Sequence, residues 1–323
     1  MRTAFSRLFF ISVIIFFSCE TPPRQEAPAA ATAPPATDTN KTAPHQKEAT
    51  PPPYHFPYRL TEPDTVVKLS KKLVEISGLS LSPDGQSLIA VNDEKGKIYF
   101  LDKRTGKILE EVRFGKSGDY EGIESVGKKI YIVKSNGTLY RVKDLKKKKP
   151  ATKKYDTSLR AKHNVEGLTF DPDHNRLLLA CKGKAGEGKD MQGKRAVYGF
   201  DLSTRQLSEQ PVYLIDRDVI REHFRSGNIA ETLLDVFAPE YAPGAFAPSG
   251  IAILPKTSDI CIISSVGKLF IVLSSSGEVK YIEKLDASVF VQPEGICFDK
   301  NGTLYISSEG RGRKAKLFRF LKN

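Results

Sequence analysis

At 323 residues, with 40% hydrophobic side chains and a formal charge of +12, the chain is too long and too apolar to be disordered throughout, and four cysteines are too few for a disulfide scaffold. Part of the positive excess sits in Lys146 to Lys149, ahead of Pro150, which reads as a solvated loop. No aromatic residues are interleaved there for base stacking, so nucleic acid is not an expected partner.

In chain order, Arg2 and Arg7 precede an apolar run from Leu8 to Phe17 that is too short for a comfortable bilayer span, and this reads as an export signal over residues 1–18. The run ends at Ser18-Cys19, which resembles a relaxed bacterial lipobox. The expectation is that Cys19 is acylated and holds the chain to a bilayer of the bacterial cell envelope, either plasma or outer membrane. Residues 19–57 are rich in Pro, Ala and Thr and poor in aliphatic side chains, so they are expected to form a disordered tether. Residues 58–323 remain for a globular domain.

That domain repeats. Ile76-Ser77-Gly78-Leu79, Tyr120-Glu121-Gly122-Ile123, Val165-Glu166-Gly167-Leu168, Pro248-Ser249-Gly250-Ile251 and Pro293-Glu294-Gly295-Ile296 align on their glycines, with spacings of 44, 45, 83 and 45 residues. A period of about 45 residues built from short alternating strands is that of a propeller blade. In the first unit strands are expected at Leu79–Leu81, Ser87–Val91, Lys97–Leu101 and Ile108–Val112, with Pro83-Asp84-Gly85 as the first turn. The last unit lacks an outer strand, and a lone strand, Thr65 to Leu69, precedes the first unit. The two deficits match, so the N-terminal strand is expected to complete the last blade and leave no open sheet edge. The 83-residue gap carries apolar residues at helical spacing from Asp218 to Phe237, broken near Gly227-Asn228. The fold class is therefore an all-β, five-bladed β-propeller closed by an N-terminal strand, with a short helical insertion after blade three.

The string from Glu75 to Gly85, continuing through Ala90 to Glu94, resembles the opening of the SdiA-regulated family of bacterial envelope propellers. Tyr120 to Ile123, Val165 to Leu168, Arg176 to Gly183 and Pro293 to Ile296 resemble its later repeats. The resemblance runs over roughly residues 62 to 321 and implies a propeller that is often tethered to the envelope.

In a propeller the residues before each inner strand and after each second strand surround one mouth of the central channel. Glu121, Glu166 and Glu294 are expected there, ringed by Asn92, Asp93, Glu94, Lys134, Lys182, Ser265 and Glu309. Three converging carboxylates repel one another unless a cation, a proton or a lysine intervenes. Calcium held by Glu121, Glu166 and Glu294 is one solution and the lysines another, while hydrogen bonds from each glutamate to the next blade's amides are a third. The loop Gly183 to Arg195 and the helical insertion open on the same side, and His223 of the insertion reads as a solvated helix residue. Cys181, Cys261 and Cys297 lie in apolar runs and read as buried free thiols. Two functions compete. One is a binding module for a small ligand or an envelope protein. The other is a metal-dependent hydrolase of a phosphoester or lactone-type substrate, although no G-x-S-x-G elbow, zinc-helix motif or phosphate loop is present.

Overall fold

The computed structural model describes residues 54–225, 242 and 244–323. The export signal, Cys19, most of the tether and the insertion beyond residue 225 apart from 242 and 244 onward lie outside the described residues.

Five four-stranded antiparallel sheets follow one another along the chain. Blade one consists of β2 (Ile76–Leu81), β3 (Leu88–Asn92), β4 (Lys97–Leu101) and β5 (Ile108–Arg113). Blade two contains β6 (Tyr120–Val126), β7 (Lys129–Lys134), β8 (Leu139–Lys143) and β9 (Ala151–Tyr155). Blade three has β10 (Val165–Asp171), β11 (Arg176–Cys181), β12 (Lys194–Asp201) and β13 (Tyr213–Asp216), followed by α1 (Arg217–Phe224). Blade four is β14 (Ala247–Ile253), β15 (Ile260–Val266), β16 (Leu269–Leu273) and β17 (Val279–Lys284). Blade five takes β18 (Pro293–Phe298), β19 (Leu304–Ser308) and β20 (Lys316–Phe320), and β1 (Thr65–Lys68) pairs with β20 to complete it. The expected closure by the N-terminal strand is thus what the structure has, and it leaves no blade with a missing strand.

The repeated glycine explains why the ring closes tightly. A Cβ on Gly78 would lie 2.7 Å from the Ile123 amide nitrogen of blade two. On Gly250 it would lie 2.4 Å from the Glu294 carbonyl of blade five. On Gly295 it would lie 2.6 Å from Leu79 Cβ of blade one, which completes the circle. Any side chain here would push neighbouring backbones apart, so glycine fixes the distance of closest approach. Apolar residues fill the five gaps between blades. Val133, Leu139, Leu168 and Leu179 pack between blades two and three, and Leu178, Ile215, Ile251 and Ile262 between three and four. Cys181, Cys261 and Cys297 are buried and unpaired.

The expected tether boundary needs correction at its end. Phe56 and Tyr58 are buried between blades four and five against Phe270, Phe298 and Phe320, and Tyr54 donates to Asp259 Oδ2 at 3.1 Å. The prolines around them hid an alternation of aromatic residues, Tyr54, Phe56 and Tyr58, that wedges into the blade interface. The Tyr58 hydroxyl donates to the Gly302 carbonyl, in the turn joining β18 to β19. The chain therefore joins the propeller at the end where the inner strands finish, opposite the end where they begin.

Candidate functional site

Every inner strand begins with a β-bulge. Tyr120 pairs with Lys134 and Gly122 with Val133, so Glu121 is the extra residue; Glu166 and Glu294 take the same place in blades three and five, and Ser249 in blade four. A bulged residue leaves the alternation of its strand and re-aims its side chain. That is how one sequence position, immediately before the glycine, delivers polar groups to the mouth from successive blades. At the glycine ring the bore measures only about 10 Å³, room for no more than a single water, so anything larger rests over the mouth and does not thread the channel.

Glu121, Glu166 and Glu294 are close enough to raise one another's pKa. Burial, then Glu166 and Asp119, hold Glu121 well above the carboxylate range, and burial followed by Glu166 pushes Glu294 up to about 8. Both are shifted toward the protonated form. Burial also raises Glu166, but Lys182 opposes the shift, with its Nζ 3.3 Å from Glu166 Oε1. The same oxygen accepts from Asn164 Nδ2 at 2.7 Å. Burial works to lower Lys182, yet Glu166, Glu294 and Glu121 outweigh it and hold the ammonium protonated.

The carboxyls thus settle their repulsion with protons and a lysine. Among the described residues no three Asp, Glu, His or Cys side chains come together in a way that would hold a metal ion. Of the expected calcium ligands Glu121, Glu166 and Glu294, Glu166 is ion-paired with Lys182, whose ammonium is held protonated by all three carboxyls. The alternative of glutamates latching onto the next blade's amides is not what forms. Each glutamate instead engages the side chain two residues earlier, which is Asp119, Asn164 or Gln292. The latch to a neighbouring blade belongs to Ser249, whose Oγ donates to the Pro293 carbonyl at 2.6 Å and accepts from the Ser265 amide at 3.1 Å.

The remaining expected residues separate into two sets. Asp93 and Glu309 meet at the rim between blades one and five. Burial, then Glu75, Glu94 and Glu309, push Asp93 up to about 6, and burial with Glu75 raises Glu309. Asp93 Oδ1 is shut off from solvent and has no hydrogen-bond partner among the described residues. Gln292 donates to Glu309 and accepts from Arg311, tying the blade-five side of this rim together. Asn92 and Lys134 play other parts. Asn92 is buried and closes a turn, accepting from the Lys95 amide at 3.1 Å, and Lys134 lies over the Tyr120 ring, 5.5 Å from its centroid. His223 is exposed on α1, edge-on to Phe224.

Sequence reasoning passed over Glu75, Asp119, Asn164 and Gln292, which stand three residues before the repeated glycine in four of the five units. The alignment already held that signal. It also passed over Lys268, whose Nζ donates to the Ser265 carbonyl.

In fold the chain is similar to glutaminyl cyclase from Myxococcus xanthus, at 13% identity and a TM-score of 0.52 over 80% of this chain and 95% of that one. It is similar also to the PQQ-bound form of aldose sugar dehydrogenase from Streptomyces coelicolor, at 13% identity and a TM-score of 0.50 over 80% and 97%. At such identities the likeness is one of fold alone. Among curated proteins nothing matches. A model of the SdiA-regulated family matches residues 58–187, a stretch that contains the strings at Glu75 to Glu94, Tyr120 to Ile123 and Val165 to Gly183, while Pro293 to Ile296 lies beyond it. Over those residues, from ahead of β1 to the loop that follows β11, the chain is similar to the SdiA-regulated family.

Proposed function

We propose that this chain is an envelope-tethered binding module whose mouth receives a cationic group, an amine or guanidinium, carried by a small ligand or a partner protein. The observation that carries the reading is Asp93. Among the described residues its Oδ1 is buried without a donor and the Glu94 amide is the backbone donor to its carboxyl, while Glu75, Glu94 and Glu309 crowd the same rim with negative charge. An unpaired buried acceptor costs about 1–3 kcal/mol, and a bound N–H donor with positive charge removes that cost and the repulsion together. The closed bore supports a ligand held over the mouth. An acyl anchor on Cys19 would hold the propeller to a bilayer through the tether that leads into Tyr54.

The test is the melting midpoint of the full chain with putrescine or agmatine at millimolar concentration, against 1,4-butanediol and against sodium chloride of equal ionic strength. The two cations are expected to raise the midpoint and the diol to leave it unchanged, with the rise lost in Asp93→Asn. Equal responses to all three compounds, or none, would contradict the reading.

A further inference from the structure

A second concavity, independent of the mouth carboxyls, lies where the loop between β11 and β12 and the first two residues of β12 meet the first residue of α1. It encloses about 470 Å³ and is lined by Lys184, Lys189, Lys194, Arg195 and Arg217. Glu187 is the single carboxylate in its wall, and that group is already engaged by Lys162. The two arginines are tied to the loop by one carbonyl each. Arg195 Nη1 donates to Gly183 at 3.1 Å and Arg217 Nε donates to Gly193 at 2.9 Å. Neither is ion-paired with a carboxylate among the described residues, and Arg195 Nε is shut off from solvent without an acceptor there.

This arrangement is unfavourable as it stands. Burial, then Arg217 and Arg221, pull the Arg195 guanidinium down to about 10, which records positive charge crowded into a partly desolvated space. Asp216 and Asp218 sit near Arg217 but are otherwise occupied: Asp216 caps α1 by accepting from the Asp218 amide at 2.9 Å, and Asp218 pairs with Arg221 at 3.0 Å. Within a loop whose Gly188 and Gly193 adopt positive φ of 95° and 73° to curl around the space, the deficit is an anion. Five cationic side chains exceed what one carboxylate would balance. Planar guanidinium forks are also matched to tetrahedral oxyanions, and long lysines supply surrounding point charge.

We infer that this pocket binds a phosphate group, with Arg195 and Arg217 as its donors and Lys184, Lys189 and Lys194 as the surrounding field. The group comes from a soluble phosphate ester or from the headgroup of a phospholipid. The pocket owes nothing to the mouth's affinity for cations, so either assignment can fail without the other.

The experiment measures binding to the full chain by calorimetry and by melting midpoint, at low millimolar probe and constant ionic strength. The probes are inorganic phosphate, glycerol 1-phosphate and glycerophosphoglycerol, the last a diester with a lipid headgroup's charge. At saturation the midpoint is expected to rise by about 2–5 °C. Arg195→Gln is expected to abolish the rise. Because Arg195 also braces the loop, the double variant Lys184→Gln, Lys189→Gln, at exposed positions, is the second test, with an expected loss of at least about fivefold in affinity. Preference for glycerol 1-phosphate or inorganic phosphate assigns a soluble phosphate and preference for the diester assigns a headgroup; both sustain the site. No binding of any probe, or binding undiminished in the double lysine variant, overturns it.

Discussion

The two ends of this propeller treat their carboxyl groups in opposite ways. At the turn end, Asp84, Asp102 and Asp201 each accept hydrogen bonds from the hydroxyls and amides of their own turns, and those bonds, led by Ser82, Thr105 and the Thr204 amide, hold them below the usual range. At the mouth end, Glu121 and Glu294 in their buried bulges, and Asp93 at the rim beside Glu75, Glu94 and Glu309, rise above it. Local turn geometry can satisfy a carboxylate from within four residues, and such a group is structural. A carboxyl whose surroundings come from three blades is satisfied only in part by the fold, which leaves capacity for something bound.

The strongest way to break this contrast is to open the ring that gathers the mouth. Gly250→Val places a side chain against the Glu294 carbonyl and is expected to cost at least about 1–3 kcal/mol, read as a lower midpoint in urea or heat, with cation binding at the mouth lost in parallel. The next largest effect is one of pH. Glu294 has a folded pKa of about 8 against 4.5 for the unfolded chain, so its contribution is fully present below pH 4.5 and is lost as pH rises through 8. Unfolding free energy measured from pH 5 to 9 is expected to fall in the wild type, and Glu294→Gln is expected to flatten that fall by an amount on the order of a few kcal/mol. Asp84 has the reverse sign. Its lowered pKa contributes stability present above the ordinary aspartate range and lost below it, so Asp84→Asn is expected to alter only the acid limb, by under about 1 kcal/mol given its exposure to solvent. A wild-type curve with no fall above pH 5, or one that Asp84→Asn changes more than Glu294→Gln does, would erase the distinction between the ends.

The ring was readable in the sequence because it rests on short-range rules. Asn136-Gly137 and Pro83-Asp84-Gly85 mark turns, alternating residues mark strands, and a glycine every 45 residues or so marks where backbones touch. The position before that glycine was also readable as the mouth. What the position does was not, since it depends on a bulge and on neighbours in space. Lys134 and Lys182 both stand at the far end of the second strand of their blades, yet Lys182 is the one that pairs with a glutamate. In blade two Tyr120 stands where blade three has Val165, and its ring gives Lys134 a different resting place. Arg195 and Arg217 are 22 positions apart in sequence, and no spacing rule links an arginine near the start of a strand to the first residue of a later helix.

The most direct measurement is carbon-13 NMR of the side-chain carboxyls, titrated with pH in the presence and absence of agmatine. Glu294 is expected to titrate near pH 8 and Asp93 near 6 in the free protein, with the Asp93 midpoint falling and its resonance moving once agmatine is added. Both groups titrating near pH 4, with Asp93 indifferent to agmatine, would contradict a mouth that keeps an acceptor in reserve.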